Sequence, residues 1–348
     1  MDTDFGNREI IDKIIRIKQD LGNQLLILTH HYQRREIVEL GHHRGDSYAL
    51  ARRAAKDENA RFIVFCGVGF MADSAAILAK ENQVVQIPDP GAGCWLADMA
   101  QAAMVDKAWA QVIKITGKNA IMPMAYINSH AGVKALCGRH GGIVCTSSNA
   151  KKAFEWAFKQ KGKLFFIPDE HLGRNTALAM DIPRNQILVW DPEKPLGGNS
   201  EQALKRAKVY LWKGSCSVHT KFFAEQVLSM RKTFPQAQVV VHPECTNEVV
   251  RLADDCGSTS FIDRYVTCAP PDSTIIVGTE INLIKRLAAE HPDKKILPLS
   301  DAFCPNMHKI NLKNLLHTLE NIGKTNVITL DDTVKKEAFI ALSKMLDL

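Results

Sequence analysis

The sequence lacks the cysteine patterns that mark common metal-binding and redox proteins. It contains nine cysteines, an odd number, and no two of them form a Cys-x-x-Cys pair. This disfavours a zinc ribbon, a thioredoxin-like redox motif and a secreted disulfide framework. In a reducing compartment we expect most of these thiols to behave as small buried hydrophobic groups.

Long hydrophobic runs are missing as well. No stretch approaches about 18 uninterrupted apolar residues, the length that indicates a membrane-spanning helix. The opening residues, MDTDFGNREI, have neither the basic region nor the apolar region of a secretory signal. We therefore expect a cytoplasmic protein that does not associate with a membrane.

Neither a strong charge nor a nucleotide-binding loop is present. The formal net charge is only +6 and the basic residues are dispersed, with no basic stripe and no recognition helix-turn-helix, so nucleic acid is not an expected partner. The GVGF segment at 67–70 does not continue into G-x-G-x-x-G, and there is no P-loop motif. A modest positive balance suits small anionic substrates.

The sequence is rich in short apolar runs that alternate with amphipathic helical patterns. The helical patterns include 46–57, 149–161 and 280–290. This rhythm is typical of βαβ units and predicts an α/β protein with parallel sheets covered by helices. The apolar runs are LLILTHHY, RFIVFCG, VVQIPD, AIMPMAYIN, GIVCTSS, KLFFIPDEH, QILVW, QVVVHPE, TIIVGTE and KILPLS.

Polar side chains follow many of these runs at their carboxyl ends. Ligands of open α/β sheets bind at that end of the strands, beside the helix N-termini. Helix capping explains Ser148-Asn149, but it does not explain Tyr126 or the His242-Pro243-Glu244 segment. The pattern predicts one polar pocket built by several units. The strand-end groups are Thr29-His30, Tyr126 to Asn128, Thr146 to Ser148, Asp169 to His171 and His242 to Glu244.

Three cysteines lie in contexts unlike those of the others. Cys94 (PDPGAGCWLADM), Cys216 (KGSCSVHTKF) and Cys304 (SDAFCPNMHKI) each occupy a turn from a strand to a helix, where backbone amides stabilise thiolates. Three thiolates on a four-iron cluster would leave one iron open as a Lewis acid. Cys245 can line the pocket without being a ligand. The other five are expected in the core: Cys66, Cys137, Cys145, Cys256 and Cys268.

Taken together, these segments resemble the quinolinate synthase family of de novo NAD biosynthesis. The resemblance covers nearly the whole chain, through eleven motifs in the family's order. It implies an α/β fold of three similar three-layer αβα units around a pseudo-threefold axis, with the active site and a 4Fe-4S cluster at the centre. The motifs are THHYQRREI, GDSYALAR, GVGFMADSAAIL, PDPGAGCWLADM, YINSHAGVKA, CTSSNA, PDEHLGRNTA, WKGSCSVH, VHPEC, GSTS and AFCPNMHKI.

The resemblance also implies domain borders. The first unit is expected at 1–92 and completed by the C-terminal 301–348, the second at 93–213, and the third at 214–300. The interval between Cys94 and Cys216 is longer than three equal units would give, with most of the excess near 186–210. This departure indicates a longer subfamily with a surface insertion, which loop-closure entropy tolerates.

The family's reaction condenses iminosuccinate with dihydroxyacetone phosphate and releases phosphate and two waters. The resemblance implies one 4Fe-4S cluster with one open iron, ligated by Cys94, Cys216 and Cys304, and it suggests functional coupling to an aspartate-oxidising enzyme. Tyr32, Glu244 and His242 are expected to do the acid–base work. The expected substrate-binding residues are His30, Ser47, Tyr126, Asn128, Ser147, His242, Glu244 and Thr259.

Two other functions remain open from the residues alone. Another three-cysteine 4Fe-4S hydro-lyase would dehydrate a hydroxy acid without needing a triose phosphate. A non-catalytic iron–sulfur sensor would need a basic surface for nucleic acid, and none is visible. The requirement for dihydroxyacetone phosphate separates the first alternative from quinolinate synthesis.

Overall fold

The computed structural model describes residues 2–348, with side chains from residue 7 onward. Strands β1 to β13 cover Leu25–His30, His43–Gly45, Phe62–Cys66, Val84–Gln86, Ile121–Tyr126, Ile143–Cys145, Lys163–Ile167, Ile187–Trp190, Val209–Trp212, Gln238–Val241, Asp255–Cys256, Thr274–Gly278 and Lys295–Pro298. Helices α1 to α16 cover Asp2–Leu21, Arg35–Leu40, Ser47–Lys56, Gly69–Leu78, Trp95–Asp98, Ala102–Thr116, Ala131–Arg139, Ala150–Gln160, Glu170–Leu178, Glu201–Arg206, Ala224–Thr233, Asn247–Leu252, Thr259–Cys268, Ile281–Glu290, Leu312–Glu320 and Asp332–Leu346.

The strands form three parallel sheets. Their orders are β2-β1-β3-β4, β6-β5-β7-β9-β8 and β11-β10-β12-β13. Each sheet is flanked by helices that connect its successive strands, as parallel pairing requires. The predicted α/β fold with three similar units is therefore confirmed, whereas the predicted domain borders stay a prediction.

The central strands are buried on both faces, which explains why they read as continuous apolar runs. Every residue of β1 and of β5 is buried. In β10, Val240 belongs to the larger hydrophobic core, while Val239 and Val241 belong to a smaller core on the opposite face of the sheet. Helices on both sides of a parallel sheet produce this pattern.

The predicted helices form close to the expected bounds, and two of them, α3 and α14, begin at side chains that cap the helix. Asp46 accepts a hydrogen bond from the Ala49 amide (2.8 Å) and begins α3. Glu280 accepts one from the Asn282 amide (2.8 Å) and begins α14. Such side chains satisfy amides that have no partner inside the helix. The caps also place the first turn of each helix beside a strand end.

The segment near 186–210 contributes to the second sheet rather than lying free on the surface. It contains β8, which pairs with β9 at the edge of the sheet, and the short helix α10. Gly197 lies between them with φ +64°, and a Cβ there would come within 2.4 Å of the Trp190 ring. Only glycine combines this backbone conformation with so close an approach.

The C-terminal helices tie units together. Helix α15 packs on α1, and α16 packs on α7, β6 and α4.

Within the part of the chain that the structure describes, no helix has the length and apolar character needed to cross a membrane.

Candidate active site

The carboxyl ends of the three sheets face one cavity. The first sheet contributes His30, the second Tyr126 and the third His242. All twelve residues that the sequence singles out for ligation, binding or catalysis line this cavity, although their roles stay predictions. The twelve are His30, Tyr32, Ser47, Cys94, Tyr126, Asn128, Ser147, Cys216, His242, Glu244, Thr259 and Cys304.

Tyr32 is held at the cavity wall by a buried hydrogen-bonded group. It follows β1, and its hydroxyl lies 2.7 Å from Oγ1 of Thr279 and 3.3 Å from Nε2 of His219. Burial, together with the charge of Glu244, raises the pKa of Tyr32 well above its usual value. The phenol is therefore protonated and available as a proton donor.

His219, Thr279 and Glu244 form a buried triad, of which the sequence predicted only Glu244. Nε2 of His219 lies 3.2 Å from Oγ1 of Thr279, and its Nδ1 lies 2.6 Å from Oε2 of Glu244. All three residues are almost fully buried. A hydroxyl, an imidazole and a carboxylate in this order can move a proton along a fixed line. The available signals were the position of His219 three residues after Cys216, and Thr279 at the end of an apolar run.

Glu244 is ionised although it lies inside the protein. Burial would raise its pKa, but the hydrogen bond and charge of His219 and the charge of His242 outweigh it and lower the pKa of Glu244 to about 2. The Tyr126 hydroxyl also donates to this carboxylate, and Nδ2 of Asn128 lies 3.3 Å from its Oε1. The carboxylate is thus a fixed negative charge at the cavity wall.

The two strand-end histidines are neutral donors. Nδ1 of His30 accepts from the Tyr32 amide (3.2 Å), and Nδ1 of His242 accepts from the Glu244 amide (3.3 Å). Burial lowers the pKa of each imidazole to about 3. Because Nδ1 is an acceptor in both rings, each proton resides on Nε2, from which it can be donated to a ligand.

Three hydroxyl residues stand at the N-termini of long helices. Ser47 begins α3, Ser147 lies just before α8, and Thr259 begins α13. Helix N-termini attract anions because their first amides have no partner within the helix. One helix comes from each of the three units, so these N-termini meet around one cavity.

Asp46 connects these units beside the cavity. Its carboxylate accepts from Oγ of Ser148 (2.5 Å) and from Oγ of Ser258 (3.4 Å). These serines belong to the regions of the second and third sheets, whereas Asp46 belongs to the first. The contact brings the three helix N-termini to one place.

The three cysteines lie in turns whose amides point at their sulfur atoms. Sγ of Cys94 accepts from the amides of Leu96 and Ala97. The Cys216 and Cys304 thiols each accept from the amides two and three residues further on. Burial raises the pKa of Cys94 to about 12 and that of the other two thiols above the ordinary value. A raised pKa means that ionising these thiols costs free energy, as expected where thiolates are stabilised only by a bound metal.

The donor set fits an iron–sulfur cluster. Three half-buried thiols of separate turns line the same cavity, each with backbone amides directed at it. In addition, ligand atoms of Cys216, His219 and Glu244 lie within 4.8 Å of one another. Thiolates with amide hydrogen bonds are the usual environment of iron–sulfur clusters.

The remaining cysteines do not line this cavity. Cys245 is fully buried in the smaller core. Cys66, Cys137 and Cys145 are buried as expected, but Cys256 is half-buried and Cys268 is exposed. The core assignment was wrong for these two, because Cys256 lies on an edge strand and Cys268 is the last residue of α13.

Comparison with known proteins identifies the family. The family model described as quinolinate synthetase A protein matches residues 12–347. The chain belongs to the quinolinate synthase family. A quinolinate synthase of Rhodopirellula baltica is 46% identical over 98% of this chain and 91% of its own length. Those of Halalkalibacterium halodurans (45%; 97% and 93%) and Bacillus subtilis (43%; 99% and 95%) are similarly close.

Membership of the quinolinate synthase family confirms the resemblance drawn from the sequence motifs. It places the chain among enzymes of NAD biosynthesis, and an iron–sulfur centre is consistent with this family. The family match extends over the residues that line the cavity. The cavity is therefore the candidate active site of a quinolinate synthase.

Proposed function

We propose that this cavity condenses iminosuccinate with dihydroxyacetone phosphate to quinolinate, with release of phosphate and two waters. The observation that carries the proposal is that Tyr32, Glu244 and the three cysteines line one cavity. His219 and Thr279 lie outside that lining and join Tyr32 to Glu244. Ring closure with loss of water needs both a movable proton and an electrophilic centre for a departing hydroxyl. The Tyr32 group would move the proton, and the three cysteines would hold the electrophilic centre.

We propose that Cys94, Cys216 and Cys304 hold one 4Fe-4S cluster with one iron open. The three turns, with their directed amides, are suited to three thiolate ligands. When bound, such a cluster supplies a Lewis-acidic iron that polarises a leaving hydroxyl group. Trp95, directly after the first ligand position, lines the cavity wall and is about half exposed to solvent.

Anionic groups of the substrates would bind at the helix N-termini. Ser47, Ser147 and Thr259 offer hydroxyl donors there, and the backbone amides add further donors. His30 and His242 donate from Nε2 to carboxylates while remaining neutral. Iminosuccinate has two carboxylates and the triose has a phosphate, so several separate donor groups match the charge of the ligands.

Asn128 and Tyr126 would orient the nitrogen-bearing substrate. Oδ1 of Asn128 is a buried oxygen with no hydrogen-bond partner among the described residues, while its Nδ2 contacts Glu244. A buried acceptor without a partner is costly, and a ligand N–H would satisfy it. We propose that this oxygen accepts from the nitrogen of iminosuccinate.

Tyr32 would exchange protons with the substrate, and the triad would return them. The Tyr32 hydroxyl contacts both Thr279 and His219, so a proton given to the substrate is replaced through these groups. Glu244 then stabilises His219 when the imidazole is protonated. In this scheme Glu244 acts through His219, and His242 serves as a neutral donor.

The experiment that tests the proposed reaction follows phosphate release under anaerobic conditions. The reconstituted protein is supplied with dihydroxyacetone phosphate alone, with freshly generated iminosuccinate alone, and with both. We expect phosphate and quinolinate in equal amounts only when both are present. Dehydration of a hydroxy acid with no need for the triose would instead indicate the hydro-lyase alternative.

Iminosuccinate is an imine that water hydrolyses, so its supply has to be close to its use. We propose functional coupling to an enzyme that oxidises aspartate. Quinolinate yield from aspartate should then fall when the two proteins are separated by a dialysis membrane. An unchanged yield would count against the coupling.

A further inference from the structure

A buried acid and a neighbouring amide lie where β12 leads into α14, and the proposed chemistry does not use them. Glu280 is fully buried, and Asn282 is half-buried two residues later. One carboxyl oxygen of Glu280, Oε2, accepts from the Asn282 amide (2.8 Å) and caps α14. Helix capping needs only this one oxygen, and short side chains such as Ser or Asp perform it better than Glu.

The other oxygen of Glu280 reaches the turn that carries Cys304. Oε1 lies 3.4 Å from the Cys304 amide and 3.3 Å from Nδ2 of Asn282. The same turn is fixed a second time, because the Ile281 amide donates to the carbonyl of Ala302 (2.8 Å). The length of the Glu280 side chain is what allows the contact with Cys304.

Asn282 reaches in the opposite direction, to the turn that carries Tyr32. Its Nδ2 donates to the backbone carbonyl of Tyr32 (3.1 Å). Thr279, directly before Glu280, contacts the Tyr32 hydroxyl (2.7 Å). The tyrosine is therefore held at its backbone and at its hydroxyl by one short segment of the third sheet.

We infer that Glu280 and Asn282 are positioning residues that fix the Cys304 turn and the Tyr32 turn relative to each other. The inference rests on the proposed roles of Cys304 as a cluster ligand and of Tyr32 as a proton donor. Groups behind a metal ligand hold its geometry, and their loss weakens metal binding. A proton donor displaced by a fraction of an ångström loses rate rather than affinity.

The first test measures how fast the cluster loses iron. In Glu280→Asp the carboxyl group and the helix cap remain, but the shorter side chain no longer reaches the Cys304 amide. We expect iron to pass from the holoenzyme to a ferrous chelator about tenfold faster than in the native protein, under anaerobic conditions. Asp331→Ala is the matched control, since Asp331 caps α16 with its exposed carboxylate, and it should release iron at the native rate.

The second test separates positioning of Tyr32 from general loss of structure. Asn282→Ala removes the donor to the Tyr32 carbonyl and leaves Glu280 in place. We expect kcat to fall about tenfold while KM for both substrates changes less than about twofold. Asn282→Asp should be at least as impaired, because a carboxylate would face the Tyr32 carbonyl and Glu280.

The outcomes distinguish this inference from the proposed function. If the native protein binds its cluster and makes quinolinate while Glu280→Asp and Asn282→Ala both behave as native, the positioning roles are overturned and the proposed function stands. If Asp331→Ala accelerates iron loss as much as Glu280→Asp does, the effect is one of stability and the inference fails. A native protein that takes up no iron and makes no quinolinate overturns the proposed function and this inference with it.

Discussion

At the scale of single residues, the cavity separates its charges by environment. Glu244 is kept ionised by His219, whereas His30 and His242 are kept neutral by burial and by the backbone amides that donate to their Nδ1 atoms. Tyr32 is kept protonated. The carboxylates of Glu244 and Asp46 therefore stand among neutral donors at the cavity wall, and the neutral donors suit substrates that bring their own negative charges.

His219 is the residue whose loss should affect turnover most selectively. In His219→Ala, Tyr32 and Glu244 lose the group that joins them, and kcat should fall at least about 100-fold, the usual contribution of a positioned acid or base. The cluster content should remain native, because the thiols are unchanged. Steady-state assays and iron analysis check both points.

The matched control for this prediction is His317→Ala, since His317 is an exposed histidine on α15. It should retain native activity. Substantial turnover by His219→Ala would show that the Tyr32–Thr279–His219–Glu244 group does not carry the proton.

Acid should destabilise the fold through the buried neutral histidines. His30 and His242 have a lowered pKa of about 3 in the fold, so the unfolded chain binds more protons as the pH falls below about 6.5. Each histidine's contribution to the free energy of unfolding is fully present above about pH 6.5, and it declines by about 2 kcal/mol between pH 7 and pH 5. Thermal melting at the two pH values measures this loss.

In His242→Gln the change in melting temperature between pH 7 and pH 5 should be smaller than in the native protein. Glu244 does not interfere in this window, because its lowered pKa of about 2 makes its contribution fall only at lower pH, from about 4.5 downward. Identical pH dependence in the variant and the native protein would contradict the neutral state assigned to His242.

At the scale of elements, helix N-termini contribute hydrogen-bond donors to the cavity, and strand-to-helix turns contribute the thiols. The N-termini of α3, α8 and α13 meet at the cavity with Ser47, Ser147 and Thr259, and the cysteine turns follow strands of the same sheets. Parallel sheets produce this arrangement, because their carboxyl ends and the following helix N-termini lie on one side. The segment 186–210, in contrast, adds the edge strand β8 to the second sheet.

The edge strand β8 should matter for stability and not for chemistry. In Gly197→Ala the new Cβ would meet the Trp190 ring at a residue with positive φ, which should cost about 1–3 kcal/mol. Gly162→Ala is the control, since nothing lies within 4 Å of a Cβ there. Thermal melting should separate the two variants.

Both glycine variants should retain the native kcat, because neither residue lines the cavity. A large loss of activity in Gly197→Ala at a temperature where the protein stays folded would show that the segment 186–210 takes part in the reaction.

At the scale of the whole molecule, each proposed cluster ligand comes from a different stretch of the chain. Changing Cys94, Cys216 or Cys304 to Ser should remove or impair the cluster in each case, as judged by its visible absorbance and by iron and sulfide content. Cys268→Ala, at an exposed position, should keep the native content. A fully loaded cluster in any of the three variants would exclude that residue as a ligand.

The sequence predicted the sheets and most of the cavity because both depend on local patterns. Long apolar runs predicted β1, β5 and β10, and the family motifs predicted the cavity residues. The polar β2 and the two-residue β11 left no such pattern, since their pairing is determined by β1 and β10. His219 and Thr279 were missed for a similar reason: their contacts join parts of the chain that are distant in sequence.

The most direct measurement uses dihydroxyacetone phosphate labelled with carbon-13 at all three carbons. The reconstituted protein is incubated anaerobically with this triose and unlabelled iminosuccinate, and quinolinate is analysed by mass spectrometry. The proposed condensation predicts quinolinate that carries all three labelled carbons. Protein with a full cluster that forms no labelled quinolinate would contradict the function assigned to this cavity.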